Sequence, residues 1–143
     1  MIIDNSGECD IEQLLSILNF QFLILNSIMS NAIQDKSRAF AIEIINCYKF
    51  LVEEQHEYVL SKQLLRSGTS IGANTRESRN AQSRNDFLNK LSIALKEADE
   101  TDYWLDLLHA TYYLDDKLYD SLANDCDEII KILTSIIKTL KDK

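Results

Sequence analysis

Apolar residues recur along this chain at the spacing of a helix, not of a strand. The series Phe87, Leu91, Ala94, Ala98, Thr101, Leu105, Leu108 and Tyr112 steps by 4, 3, 4, 3, 4, 3 and 4. On an α-helix such a series lies on one face, so the spacing predicts a core-facing stripe along a helix from Arg84 to Leu114. That helix would be about 46 Å long at 1.5 Å per residue. Ser83, with Asp86 three positions on, predicts its start through a capping box that uses Asp. A further series, Leu118, Leu122, Cys126, Ile129, Leu133, Ile136 and Leu140, steps by 4, 4, 3, 4, 3 and 4. Asp115, Asp116 and Asp120 at its start, and Lys138, Lys141 and Lys143 at its end, suit the helix dipole.

Two earlier helices are predicted. One runs from Lys36 to His56 with Phe40, Ile44, Cys47 and Leu51 on one face, and the next from Tyr58 to Arg79 with Leu64, Leu65 and Ile71 as its larger apolar residues. The predicted breaks fall at Asn5-Ser6-Gly7, from Ser30 to Lys36, from Gln55 to Ser61, at Asn80 to Ser83 and, more weakly, at Asp115-Asp116. Short connections force neighbouring helices side by side. The expected fold is all-α, an antiparallel up-down four-helix bundle over residues 34–143 with an extra N-terminal helical segment over residues 1–33.

The run Ser67-Gly68-Thr69-Ser70-Ile71-Gly72-Ala73-Asn74 sits badly in a helix on propensity, each glycine costing about 1 kcal/mol against alanine. Its benefit is the close approach of another backbone, from a neighbouring helix ahead of a ligand cleft, or from another subunit. Gly68, Gly72 and Asn74 are therefore candidate oligomer contacts.

The stretch from Leu14 to Ile33 has no charge, yet Ser16, Asn19, Gln21, Asn26 and Ser27 interrupt its apolar residues. Asp4, Glu8, Asp10 and Glu12 precede it with no Lys or Arg, the wrong sign for a secretory leader. A membrane role is not expected. The segment reads as an accessory helix packing on the bundle or on a partner, and a translation start at Met29 would leave a domain of 115 residues.

Composition narrows the class. The 143 residues fit one domain able to bury a core, and no proline with three glycines excludes a turn-rich β fold. Cys9, Cys47 and Cys126 form neither a disulfide framework nor a zinc site, as expected of a reducing cytoplasm. The net charge of −8 is unevenly spread: residues 1–61 balance at −6, residues 62–96 at +5 and residues 97–143 at −7. An acidic average surface repels phosphate, but Arg66, Arg76, Arg79 and Arg84 gather around the turn between the second and third helices. Those arginines pair with the chain's acidic faces, within or between subunits, or they bind phosphate.

From Ser61 onward the chain resembles a known family. Ser61-Lys62-Gln63-Leu64-Leu65-Arg66-Ser67-Gly68-Thr69-Ser70-Ile71-Gly72-Ala73-Asn74, then Arg76-Glu77-Ser78, Ser83, Asp86-Phe87, Leu91 and the run from Ile93 to Leu105 resemble the bacterial four-helix bundle proteins encoded in intervening sequences of large-subunit ribosomal RNA genes. The likeness spans about four-fifths of the chain, from Ser37 on. Thr75 departs from the Ile, Val or Tyr usual there. That family is similar to the accessory bundle protein of diversity-generating retroelements, whose members form pentameric rings and associate with nucleic acid and a reverse transcriptase. The resemblance implies a ring of five, no catalytic residue, and a basic rim at Arg66, Arg76, Arg79 and Arg84.

No phosphate loop, metal-spaced cysteine pair or nucleophile motif is present in the sequence. The best metal candidates are Glu53 with His56 and Asp106 with His109, each at i, i+3, with Glu77 and Glu128 as added carboxylates. They flank the apolar stripes, as solvated charges do, and no metal or cofactor is expected. In the run Glu97, Asp99, Glu100, Asp102 and Asp106, Glu97 and Glu100 face roughly together while Asp99 and Asp102 point elsewhere, so the run suits arginine partners between subunits better than one ion. Tyr103 and Trp104 lie off the stripe and are candidate interface aromatics. The expected function is a non-enzymatic oligomeric scaffold or adaptor, contacting RNA, DNA or a nucleic-acid-processing protein through its arginines, with no small-molecule substrate. The alternatives are a pure protein-interaction module and, third, a metal-binding bundle.

Overall fold

A computed structural model describes residues 10–142, the side chains of residues 22, 25 and 26 excepted. The expected break at Asn5-Ser6-Gly7, Cys9 and the terminal Lys143 lie outside it. The described residues form helices joined by short turns, with no strand: α1 (Ile11–Glu53), α2 (Leu60–Ser78), α3 (Arg84–Ala110) and α4 (Asp116–Lys141). The first departure from expectation lies in α1. Ser30 to Lys36 is not a break, because α1 runs through it without interruption. That stretch holds neither Gly nor Pro, and Asn and Ser within a helix lower its propensity without stopping it. The chain nevertheless divides into two units between Asn31 and Ala32. In the first, the apolar residues Ile11, Leu15, Ile17, Leu18, Phe20, Leu23, Ile24 and Ile28 are exposed. No helix among the described residues is long and apolar enough to cross a membrane.

Side-chain oxygens start all four helices, the Asp10 carboxylate accepting from the amides of Glu12 and Gln13 at the start of α1. Ser83 accepts from the amide of Asp86 at 3.0 Å, as the capping box requires, while the Asp86 carboxylate accepts from the Gln82 amide one residue further out. Asp115 accepts from the amide of Leu118 at 2.8 Å and opens α4. The cap of α2 lies two residues ahead of its N-cap: the Glu57 carboxylate accepts from the amides of Val59, Leu60 and Ser61. Burial pushes the Glu57 carboxyl up, but those amides and the Ser61 hydroxyl outweigh it and hold the group below its ordinary value.

The third helix stops four residues short of the expected Leu114. Tyr112 takes a left-handed backbone (φ 68), the amide of Tyr113 bonds the Leu108 carbonyl, and that of Tyr112 bonds the His109 carbonyl. This is a Schellman ending with tyrosine where glycine is usual. Tyr112 therefore leaves the stripe and is 92% exposed. His56 is likewise left-handed (φ 54) and lies beyond the end of α1, which closes at Glu53.

Within residues 32–143 the predicted stripes form the core. Phe40, Ile44, Cys47, Leu51, Leu64, Ile71, Leu91, Ala94, Ala98, Leu105, Leu108, Leu122, Cys126, Ile129, Leu133 and Ile136 are all buried, while Phe87, Leu118 and Leu140 are half-buried. Helix α2 packs on α3, and α3 on α4. Where α1 meets α2 the contact is close: a Cβ added at Gly68 would stand 2.8 Å from Cγ2 of Ile44, and one at Gly72 3.4 Å from the Ser37 carbonyl oxygen. The close approach that Gly68 permits is thus between helices of one chain, while a Cβ at Gly72 would make only an ordinary contact. Buried hydroxyls pair on both sides of α2. Ser37 and Thr75 share a hydrogen bond of 2.9 Å, and Thr101 donates to Ser67 at 2.9 Å between α3 and α2. Thr75, the departure from the resembled pattern, is matched by Ser37 across the seam.

Candidate nucleic-acid interface

The four nominated arginines do not act alike. Arg76 and Arg79 lie three residues apart at the end of α2, hence on one face of it. They line a groove of about 500 Å³ whose other wall is α1, through Gln34, Asp35 and Arg38. Its remaining lining is small: Ala41, Thr69, Gly72, Ala73 and Thr75. The close α1–α2 crossing leaves little side-chain bulk at the bottom, and the arginines stand at the rim. All three are exposed, and among the described residues none has a carboxylate within ion-pair distance. Arg38 could not be nominated from the sequence, since it belongs to an acidic third of the chain and only packing brings it to Arg76 and Arg79.

Arg66 and Arg84 are engaged elsewhere. Arg66 on α2 pairs with Glu97 at 3.2 Å and with Glu100, both on α3, so this contact is within the chain and not between subunits. The bond to Glu100 holds the Arg66 guanidinium above its ordinary value, and that bond, with a second from the Trp104 indole, holds the Glu100 carboxyl below its own. Arg84 donates to the Leu140 carbonyl at the end of α4 at 2.5 Å.

The nominated interface residues are spread over two places. Gly68 is buried against Ile44, Gly72 lies in the groove, and the Asn74 amide donates to the Ser70 carbonyl at 2.8 Å. On α3, Trp104 is half-buried with its indole N–H on Glu100 at 3.1 Å, and Tyr103, tilted against it, is 55% exposed.

The metal candidates do not gather. Among the described residues no three His, Cys, Asp or Glu side chains are placed to hold an ion. His109 stacks flat on Tyr119, centroids 4.1 Å apart, and reaches Asp116 at 2.7 Å. His56 bonds the Tyr58 hydroxyl, Glu53 and Asp106 are exposed, Glu77 pairs with Lys90 and Glu128 with Lys36. Burial pushes the Cys47 and Cys126 thiols up to about 12, so neither supplies a thiolate near neutrality. Asp102 is raised by burial and by its neighbours Asp106, Asp127 and Asp99, which mark an acidic face on α3 and α4.

The model of a family described as 23S rRNA-intervening sequence protein matches residues 29–135. A similar solved structure is that of a protein with unknown function from the S23 ribosomal protein family of Bacteroides thetaiotaomicron VPI-5482. It is 62% identical, with a TM-score of 0.76, over 77% of this chain and 98% of that one. No curated protein matches the chain. Neither the family nor the solved relative is assigned an enzymatic activity by its description. The groove, including Arg38, Arg76 and Arg79, lies wholly inside the matched range.

Proposed function

Because the chain belongs to the 23S rRNA-intervening sequence protein family, a family in which that solved relative has no known function, we propose a role drawn from its own surface. The protein is a cytoplasmic, non-enzymatic scaffold or adaptor, its helices arranged as an antiparallel up-and-down bundle and its copies associated in a ring of five. It touches nucleic acid or a ribonucleoprotein through Arg76 and Arg79. One observation supports this above the rest: these two arginines, with Arg38, line a single groove and have no ion-pair partner among the described residues, whereas Lys36, Arg66, Lys90 and Lys131 each have one. Arginine's planar fork fits phosphate, and repetition around a ring would let weak sites act together.

The test is binding of RNA and DNA against salt, with native mass measured on the same samples. The proposal expects binding that weakens steeply as salt rises and is lost in the double variant Arg76→Ala, Arg79→Ala, at a native mass of about five chains. No binding at low salt overturns the nucleic-acid part and leaves a pure protein-interaction module, the second reading, which the acidic face around Asp102 favours as a docking surface. A monomeric mass overturns the ring.

A further inference from the structure

The groove holds one residue that a plain phosphate site does not need. Asp35 stands in it with Arg38, Arg76 and Arg79, although a carboxylate repels phosphate. Among the described residues it has no ion-pair partner that would explain its place as structural. A carboxylate beside a phosphate site has a well-known use, as acceptor for a ribose hydroxyl. Resting on the nucleic-acid reading above, we propose that this groove takes the ribose-phosphate backbone of single-stranded RNA, with Arg38, Arg76 and Arg79 on the phosphates and Asp35 on a 2′-hydroxyl.

Shape and charge both select the single strand. The groove is concave, about 500 Å³, with Gly72 and Ala73 in its lining. A flexible strand can bend into such a space, whereas the convex, stiff backbone of a duplex meets only its rim. A duplex also presents one charge per ~1.7 Å of axis, a denser array than a single strand, and so is repelled more strongly by a chain of net charge −8. The 2′-hydroxyl is the group by which a protein tells RNA from DNA, and Asp35 is the acceptor in reach of it. Gln34, next to Asp35 in the same lining, adds an amide able to donate or accept. The hydroxyls of Thr69 and Thr75 are already committed to the carbonyls of Leu65 and Gly72, so they do not compete for the ligand.

Fluorescence anisotropy with a mixed-sequence 12-nucleotide RNA, the same sequence as DNA, and the RNA duplex tests this on the full chain. Single-stranded RNA is expected to bind at least about threefold tighter than DNA and tenfold tighter than duplex. Three neutralised phosphates give a log–log salt slope of about −2, a loss of about 20-fold between 50 and 200 mM salt. Arg38→Gln should weaken both single strands at least fivefold and flatten that slope by about 0.7, while Arg84→Gln changes neither. Asp35→Ala, which removes the acceptor, should abolish the preference for RNA over DNA. All these side chains are exposed, and circular dichroism confirms that each variant is folded.

Failures are separable. Equal binding of duplex and single strand, an unchanged Arg38→Gln, or a preference for RNA that survives Asp35→Ala overturns the groove as an RNA site. The broader reading then stands if Arg76→Ala, Arg79→Ala still abolishes binding, and it falls if no nucleic acid binds at all. A drop in native mass in Arg38→Gln would show that a second copy's acidic face occupies the groove, and it also overturns the RNA assignment.

Discussion

Two seams within residues 32–143, the one along α4 and the one where α1 meets α2, are built on different plans. Along α4 the buried positions are large and apolar, Leu122, Ile129, Leu133, Ile136 and Ile137, with Cys126 among them. Where α1 meets α2, small and hydroxylated residues stand among the large ones: Gly68 lies against Ile44, Ser37 bonds the buried Thr75, and Gly72 lies at a backbone carbonyl. Large side chains remove apolar area from water, at about 25 cal/mol per Å², and so supply most of the stability. Small ones give up that gain and bring two helix backbones close enough to leave a shallow groove above them. The groove, with its three arginines, lies over these small residues, Gly72 and Thr75 being in its lining.

The difference predicts how the seams break. Leu133→Ala empties a fully buried leucine site and should cost about 2–5 kcal/mol, the largest effect expected, read from denaturant unfolding. Gly68→Ala is the matching insult to the other seam. It gains about 1 kcal/mol of helix propensity, but its Cβ would sit 2.8 and 2.9 Å from Cγ2 and Cγ1 of Ile44, a β-branched side chain with little freedom to turn. A net loss of about 1–3 kcal/mol follows, and Ile44→Ala in the same molecule should absorb part of it, so that the pair costs less than the sum. Gly72→Ala, whose Cβ would meet the Ser37 carbonyl at an ordinary 3.4 Å, should be neutral or slightly stabilising. Equal costs at the two glycines would refute the close approach at Gly68 as the reason for this seam's small residues.

Spacing along the chain reveals one plan far better than the other. The stripe from Leu91 to Leu108 and the one from Leu122 to Ile136 are legible because large apolar residues at 3–4 spacing fit little besides the buried face of a helix. The α1–α2 seam gives a weaker signal: glycines and serines mark a close approach without naming the partner. Here Ile44 faces Gly68 and Ser37 faces Thr75, pairs separated by 24 and 38 positions. The groove is harder still. Arg76 and Arg79 stand out by local charge, but Arg38 lies in an acidic third, and only the crossing of α1 over α2 makes it their neighbour. Arg66 looks equivalent to them in sequence until Glu97 and Glu100 are seen on the facing helix. The end of α3 is hidden for a local reason: tyrosine at position 112 occupies a left-handed site where glycine would have signalled the stop.

A smaller effect is expected where the α1–α2 connection feeds the seam. Glu57 accepts three backbone amides at the start of α2, and its carboxyl is held below its ordinary value of 4.5. A depressed carboxyl contributes stability above the unfolded value and loses it as pH falls through the folded one. Glu57→Gln keeps the shape and removes the charge, so it should cost about 1–2 kcal/mol at pH 7. The gap between the two proteins should then narrow as pH falls below the ordinary value of 4.5 and close only once pH has passed through the depressed folded value, where the native carboxyl is also neutral. A gap independent of pH would mean that Glu57 acts by packing alone.

The smallest effect comes from the seam's own hydroxyl pair. Ser37 and Thr75 bond each other at 2.9 Å, and each also lies within bonding distance of a carbonyl, Ser37 of Gln34 at 3.1 Å and Thr75 of Gly72 at 3.0 Å. That makes three contacts for two hydroxyl protons, so one contact is always without a proton of its own. Removing either hydroxyl leaves the other free to donate to its own carbonyl, and no buried polar group is orphaned. Ser37→Ala and Thr75→Val should each cost no more than about 1 kcal/mol, with the double variant within about 0.5 kcal/mol of the better single one. Thr75 also lines the groove, yet its proton is spent inside the seam, so Thr75→Val should bind single-stranded RNA as the native chain does. If RNA binding fell with Thr75→Val while stability held, the seam would be reaching the ligand directly, and its separation into a structural floor and a charged rim would be wrong.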